Sequence, residues 1–197
     1  MKPLRLVIVA VGGQGNLLAS SVLGEAALLA GIEVKMSELH GMAQRGGVVE
    51  SAIVFGDARS TIISDAEADV LLGFEPAETL RAVNKCNSHT VVITSLSPLP
   101  PFTVAIGRGE YPDIQRVQEL LREKTSRLIA FDAVSKAKEA GNVLAVNMVL
   151  LGALMQTGLL PFTVEHMKEA IGMRSKKAFL ESNLKAFDLG FKEAAMA

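Results

Sequence analysis

Ser37 to Ser51 reads SELHGMAQRGGVVES, which gathers Glu38, His40, Gln44 and Arg45 around Gly41 and closes on Gly46 and Gly47. Arg45 is a planar, permanently charged fork suited to a carboxylate or a phosphate. Glu38 and His40 could pair with it or with a substrate. His40 has the chemistry of a general base, but no nucleophile stands near it in sequence, so no catalytic residue is assigned. A loop braced by a Glu38–Arg45 pair is the plain structural alternative. A second stretch, VIVAVGGQGN, ends an apolar run in Gly12, Gly13, Gln14 and Gly15 just before a helix signal. Glycines there allow a tight turn and close approach of a ligand, and a helix N-terminus offers free N–H groups to an anion. The dinucleotide pattern G-x-G-x-x-G is only partly met, because Gly13 and Gly15 are followed by Leu18. Neither Glu33 nor Glu38 fits firmly as its acidic residue. Three uses stay open: a ligand-free turn, an anion or phosphate contact, or a true NAD or FAD site.

The elements that must position these residues alternate. Residues 5–11 (RLVIVAV) read as a buried strand, and Asn16 to Gly31 as a helix with a glycine cap. Strands are predicted at 32–39, 48–55, 68–74, 89–95 and 127–133, with helices over 75–86 and around 114–124. Four prolines between Ser97 and Pro112 predict a long irregular connection. From Asn142 the chain reads as helical to its end. Ala145 to Leu154 is apolar almost all round, so that helix is buried or faces a partner. Leu180, Leu184, Phe187 and Phe191 make one apolar stripe on the last helix, for core packing or for a subunit interface. This alternation implies a three-layer, Rossmann-like α/β fold with a mainly parallel sheet and a helical C-terminal part, as a single domain over residues 1–197. Ligands of such sheets sit at the carboxyl ends of the strands, so the glycine turn and the polar loop should lie together.

Bulk properties exclude several classes. The net charge of −1, with no Trp and one Tyr, argues against nucleic acid or an anionic membrane as partner. The single cysteine, Cys86, can form no internal disulfide and no iron–sulfur cluster, and His40, His89 and His166 lack metal-ligand spacing. The N-terminal apolar run is short and has no cleavage site, so it reads as a strand rather than a signal peptide. Asn142, Asn147 and Gln156 interrupt the longest apolar segment, which falls short of a membrane span. A soluble cytoplasmic protein is expected.

The residues also carry a resemblance. Val11–Gly31 (VGGQGNLLASSVLGEAALLAG) and Glu33–Gly56 (EVKMSELHGMAQRGGVVESAIVFG) resemble the gamma-type subunit or domain of the 2-oxoacid:ferredoxin oxidoreductases. Gly41 to Gly47 is the specific part and is most similar to the indolepyruvate branch of that family. Asn147–Leu154 and Glu181–Gly190 are similar to its C-terminal pattern, while the likeness is thin between Ala58 and Gly141. The resemblance implies a holoenzyme that decarboxylates an arylpyruvate oxidatively with coenzyme A, giving acyl-CoA, carbon dioxide and reduced ferredoxin. It implies that thiamine diphosphate and the iron–sulfur clusters lie on a large partner subunit, and that this chain is inactive alone and binds no cofactor by itself. Gly56-Asp57-Ala58 followed by Asn84 is a broken echo of the diphosphate motif and reads as chance.

On that footing Gly12, Gly13, Gln14, Gly15, Glu38, His40, Gln44, Arg45, Gly46 and Gly47 form the candidate site. It would face the partner's active site or the coenzyme A path, where Arg45 and the turn amides would meet a CoA phosphate or a substrate carboxylate. The same residues could instead brace the subunit interface. The chain made alone should expose an apolar patch and could form a homodimer that stands in for the partner. Two other functions compete: an independent dinucleotide-dependent oxidoreductase, and a stand-alone nucleotide- or anion-binding Rossmann-like protein without catalysis.

Overall fold

A computed structural model of the chain describes residues 2–41, 47–101, 104 and 106–196. A six-stranded sheet runs in the order β2-β3-β1-β4-β5-β6, formed by β1 (Leu4–Val11), β2 (Val34–His40), β3 (Val48–Phe55), β4 (Ala68–Gly73), β5 (Cys86–Ser95) and β6 (Arg127–Phe131). The β1–β4, β4–β5 and β5–β6 pairings are parallel, whereas β3 is antiparallel to both β1 and β2. The sheet is therefore mixed, and parallel over the larger part. Two reversals cancel, so β2 runs the same way as β1. The β2–β3 hairpin consequently opens at the carboxyl end of β1.

The apolar run of β1 follows from cover on both faces. Leu6, Ile8 and Ala10 join one core with α1 (Asn16–Leu29), and Val7 and Val9 join the opposite core with Val117 and Leu121. The second core is closed by α2 (Pro76–Arg81), the 3-10 turn after it and α3 (Ile114–Lys124). The first also takes in α4 (Ala133–Glu139), α5 (Val146–Gln156), α6 (Val164–Arg174) and α7 (Leu180–Ala194). Helix α1 ends as its sequence predicts. Gly31 has φ +69°, and the amides of Ile32 and Gly31 return to the carbonyls of Ala27 and Leu28 in a Schellman cap.

Boundaries differ from the sequence pattern in three places. The pattern extends the sixth strand to Ala133, but Asp132 instead caps α4 by accepting from Ser135 N. Its carboxylate is held down at about 2 by the hydroxyls of Ser135 and Ser97. β5 begins at Cys86 instead of His89, and the helix predicted over 75–86 tightens to a 3-10 turn after Arg81. The proline-bearing connection is irregular over 96–101 and 106–113; residues 102, 103 and 105 lie outside the described ones. Buried Glu75 pins it by accepting from Leu99 N at 3.2 Å and from the Tyr111 hydroxyl. Burial first, then that carboxylate, push the Tyr111 phenol above its ordinary range.

Every residue of α5 from Val146 to Met155 is buried, so its all-round apolarity serves the core. The stripe on α7 does too: Phe187 is fully buried, and half-buried Leu180, Leu184 and Phe191 pack against the same cluster. The two helices meet backbone to backbone. A Cβ at Gly190 would fall 1.8 Å from Val149 O, and one at Gly152 would fall 2.0 Å from Phe187 O. Gly190→Ala should therefore force the helices apart and destabilise the fold by about 2–3 kcal/mol in urea titration. Gly172→Ala, where nothing lies within 4 Å, should be neutral or stabilising by about 0.5–1 kcal/mol.

Candidate functional site

β1 passes into α1 through Gly12–Gly15, and the stem of the β2–β3 hairpin reaches the same point at Gly47. Gly12 N donates to Gly47 O at 2.8 Å, one step beyond the last ladder pair, Val11 with Val48. Gly41 N donates to Val48 O at 2.9 Å, which holds the other stem of the hairpin. Gly13 (φ +103°) and Gly15 (φ +83°) take left-handed backbone that favours glycine. Gly15 has a second reason: a Cβ there would lie 2.6 Å from Asn147 Nδ2, which donates to Gly15 O at 3.2 Å.

Gln14 plays a different part from its neighbours. Its Oε1 accepts from Val11 N at 2.8 Å and its Nε2 donates to Phe74 O at 3.3 Å, so the side chain laces β1 to the end of β4. The turn is thereby rigid, and two of its amides are engaged: Gly12 N donates to Gly47 O and Gln14 N donates to Val11 O at 3.1 Å. Among the described residues no acceptor meets the N–H groups of Gly13, Gly15, Asn16, Leu17 or Leu18. Side chains cap α2, α3, α4 and α6 through Glu75, Asp113, Asp132 and Thr163. Helix α1 has no capping side chain and no acidic residue in its first turn. Bare amides and the positive end of the helix dipole thus face one cavity, the arrangement that binds anions.

That cavity holds about 520 Å³ and is lined by Val11, Gly12, Gly13, Gly15, Asn16, Leu17, His40, Gly41 and Val49. Strand register builds its polar wall. Glu38 lies opposite Ser51 in the β2–β3 ladder, and His40, two residues on, shares the face of Glu38. Asn16 Nδ2 donates to Ser51 Oγ at 2.9 Å, Ser51 Oγ donates to Glu38 Oε1 at 3.4 Å, and His40 Nε2 lies 3.2 Å from Glu38 Oε2. A second cavity of about 280 Å³ shares Gly13 and is walled by Gln14, Ser97, Pro98, Leu99, Val134 and the Val143–Val146 corner. Apolar side chains stand bare beside the two cavities: Leu17 is 65% exposed and Leu144 73%.

Of the residues singled out in sequence, Gly12, Gly13, Gly15 and His40 line one cavity, Gly47 is tied to its rim, and Glu38 stands behind His40. Gln14 is turned back into the turn's own bracing. Gln44, Arg45 and Gly46 lie outside the described residues, and with them the Glu38–Arg45 pair. Asn16, Ser51 and Asn147 were not singled out. An asparagine straight after the last turn glycine and another inside an apolar helix were the available signals. Glu33, the other candidate acid of a dinucleotide site, pairs with Lys35 on the surface. Asn84 of the diphosphate echo donates instead to Asp65 at 2.9 Å. Cys86 is buried, and burial lifts its thiol to about 11, far from a reactive thiolate. Among the described residues no three His, Cys, Asp or Glu gather as metal ligands, and no helix is long and apolar enough to cross a membrane.

Residues 5–193 match the family described as pyruvate ferredoxin/flavodoxin oxidoreductase. The indolepyruvate oxidoreductase subunit IorB of Pyrococcus horikoshii is 43% identical over 196 residues, covering 98% of this chain and 97% of the relative. The subunit of the same name from Archaeoglobus fulgidus is 41% identical over 191 residues, covering 97% of this chain and 95% of its own. The crystal structure of a keto/oxoacid ferredoxin oxidoreductase gamma subunit from Geobacter sulfurreducens superposes with a TM-score of 0.71 at 25% identity, over 98% of this chain and 99% of that one.

The bracing of Gln14 is testable. Gln14→Ala removes two hydrogen bonds of the turn and should lower unfolding stability by about 1–2 kcal/mol without any ligand present. An unchanged urea midpoint would mean that the turn holds itself and that Gln14 is free for a ligand.

Proposed function

The chain belongs to the pyruvate ferredoxin/flavodoxin oxidoreductase family, and from that premise we propose that it is the small subunit of a 2-oxoacid:ferredoxin oxidoreductase acting on indolepyruvate or a similar arylpyruvate. Two relatives called indolepyruvate oxidoreductase subunit IorB, each matching nearly end to end, support the substrate class. In the proposed reaction the arylpyruvate loses carbon dioxide, its acyl carbon is transferred to the thiol of coenzyme A, and two electrons pass to ferredoxin. Thiamine diphosphate and the iron–sulfur clusters belong on a large partner subunit, where the chemistry proceeds. A single buried thiol gives this chain no means of holding a cluster.

The observation that carries this reading is the uncapped start of α1, with bare apolar side chains beside it. A helix end with unmet amides awaits an anion. Bare Leu17 and Leu144 beside it await a protein surface. Together they describe half of a shared site. In it the amides of Gly13, Gly15 and Asn16, helped by Arg45 from the hairpin, meet a phosphate of coenzyme A or the substrate carboxylate. The partner closes the rest. The subunit supplies position and electrostatics and no group that exchanges electrons.

The test is affinity purification of the tagged chain from its native cells under anaerobic conditions, followed by arylpyruvate- and CoA-dependent dye reduction. A large thiamine- and cluster-bearing partner with activity is expected; a chain recovered alone and inactive would contradict the proposal. In that holoenzyme Arg45→Ala should raise the KM for coenzyme A by about tenfold or more, the scale of a lost charge-assisted hydrogen bond. Unchanged kinetics would remove Arg45 from the site.

A further inference from the structure

The second cavity, of about 280 Å³, is lined by no charged side chain. Pro98, Leu99, Val134, Val143, Leu144 and Val146 make it apolar, and its polar part is confined to Gly13, Gln14 and Ser97. It is open to a ligand, since Leu99 is 45% exposed and Val143 50%. Three of its walls are fastened by polar side chains that stand outside the lining. Glu75 accepts from Leu99 N at 3.2 Å. Asp132 caps α4, which carries Val134, and accepts from Ser97 Oγ at 2.5 Å. Asn142 Oδ1 accepts from Leu144 N at 3.0 Å. A cavity held in this way is formed before any ligand arrives, and mostly apolar walls with a few polar groups are the usual makeup of a small-molecule site. Its volume falls below the roughly 300–1,000 Å³ of a drug-sized ligand's pocket, so it suits a ring system and not a whole cofactor. Gly13 lines both this cavity and the first, so an uncharged apolar lobe and a lobe of bare amides meet at one residue.

We propose that the second cavity receives the aryl group of the substrate, with Leu99 and Val134 setting the ring size it accepts. The proposal rests on the reading of the chain as part of an arylpyruvate oxidoreductase. In an arylpyruvate only the keto carbon and one methylene separate the carboxylate from the ring. One molecule therefore reaches both lobes, with its anionic head at Gly13 and its ring against Leu99 and Val134. An apolar side chain from a partner would fill the same lobe without regard to the substrate, and substrate kinetics separate the two.

The test uses the assembled holoenzyme and compares kcat/KM for indolepyruvate and phenylpyruvate, which share the head and differ in the ring. Val134→Phe narrows the cavity and should lower the indolepyruvate-to-phenylpyruvate ratio about tenfold or more, the scale of a small size change in an apolar pocket. Leu99→Ala widens it at a half-exposed wall and should move the ratio the other way. The KM for coenzyme A should stay within about twofold of wild type in both variants. Opposite shifts of one ratio do not follow from a loosened fold or a damaged interface. Where one variant fails to assemble, the other decides alone. A ratio that stays within about twofold of wild type, or moves the same way in both variants, would overturn the aryl pocket and leave the subunit reading standing. A wild-type holoenzyme that turns over neither acid would overturn that reading and this proposal with it.

Discussion

The hydrogen bond from Gly12 N to Gly47 O continues the β1–β3 ladder one step past its last residue pair, and the position of the whole site depends on it. Because β3 is inserted antiparallel between β1 and β2, the hairpin that joins β2 to β3 emerges at the carboxyl end of β1. A parallel β3 would have required a crossover and would have sent this loop elsewhere. As built, the ladders are zipped from Leu4 and Val34 up to the turn, so the hairpin stem moves only if sheet hydrogen bonds break. The same register that fixes the hairpin stacks Glu38, Ser51 and Asn16 into one relay.

A second constraint works from below. Asn147 on buried α5 holds the carbonyl of Gly15, and α5 in turn is locked against α7 where Gly152 and Gly190 let two backbones touch. The turn therefore rests on the most deeply buried helix of the chain and is laced to β4 by Gln14. Amides held this firmly need little reorganisation when an anion arrives, which is how a fixed dipole stabilises charge efficiently. Rigidity lies beneath the turn, while the apolar side chains beside it are left bare for a partner to cover.

Much of this was legible in the sequence, and the parts that were not have physical reasons. The buried strand β1, the glycine turn and the Gly31 cap each follow from local chemistry, and local chemistry is visible in one stretch of chain. The co-location of the turn and the hairpin followed from a rule about α/β sheets, and it holds although the sheet is mixed, because β2 keeps the direction of β1. The reversal of β3 was hidden, since a strand buried by its neighbours has the same composition in either direction. Helix α4 was missed because Asp132 reads equally well as the end of a strand and as a cap. The roles of Asn16 and Ser51 could not be read at all, because a bond between residues 35 apart depends on register. Gln14 resembled a ligand contact in sequence, and only the positions of Val11 N and Phe74 O reveal it as a brace.

One surface carries the claim: the end of the molecule with the turn, and with Leu17 and Leu144 beside it, should be the face that a partner subunit covers. Hydrogen–deuterium exchange of the chain alone and within its assembled complex measures this directly. The account predicts slowed exchange on assembly at Gly12–Leu18, at Leu39–Gly41 and at Val143–Leu144, with α3 on the opposite face of the sheet unchanged. Protection confined to α3 or to the outer face of α7, with the turn exchanging as it does in the isolated chain, would contradict it.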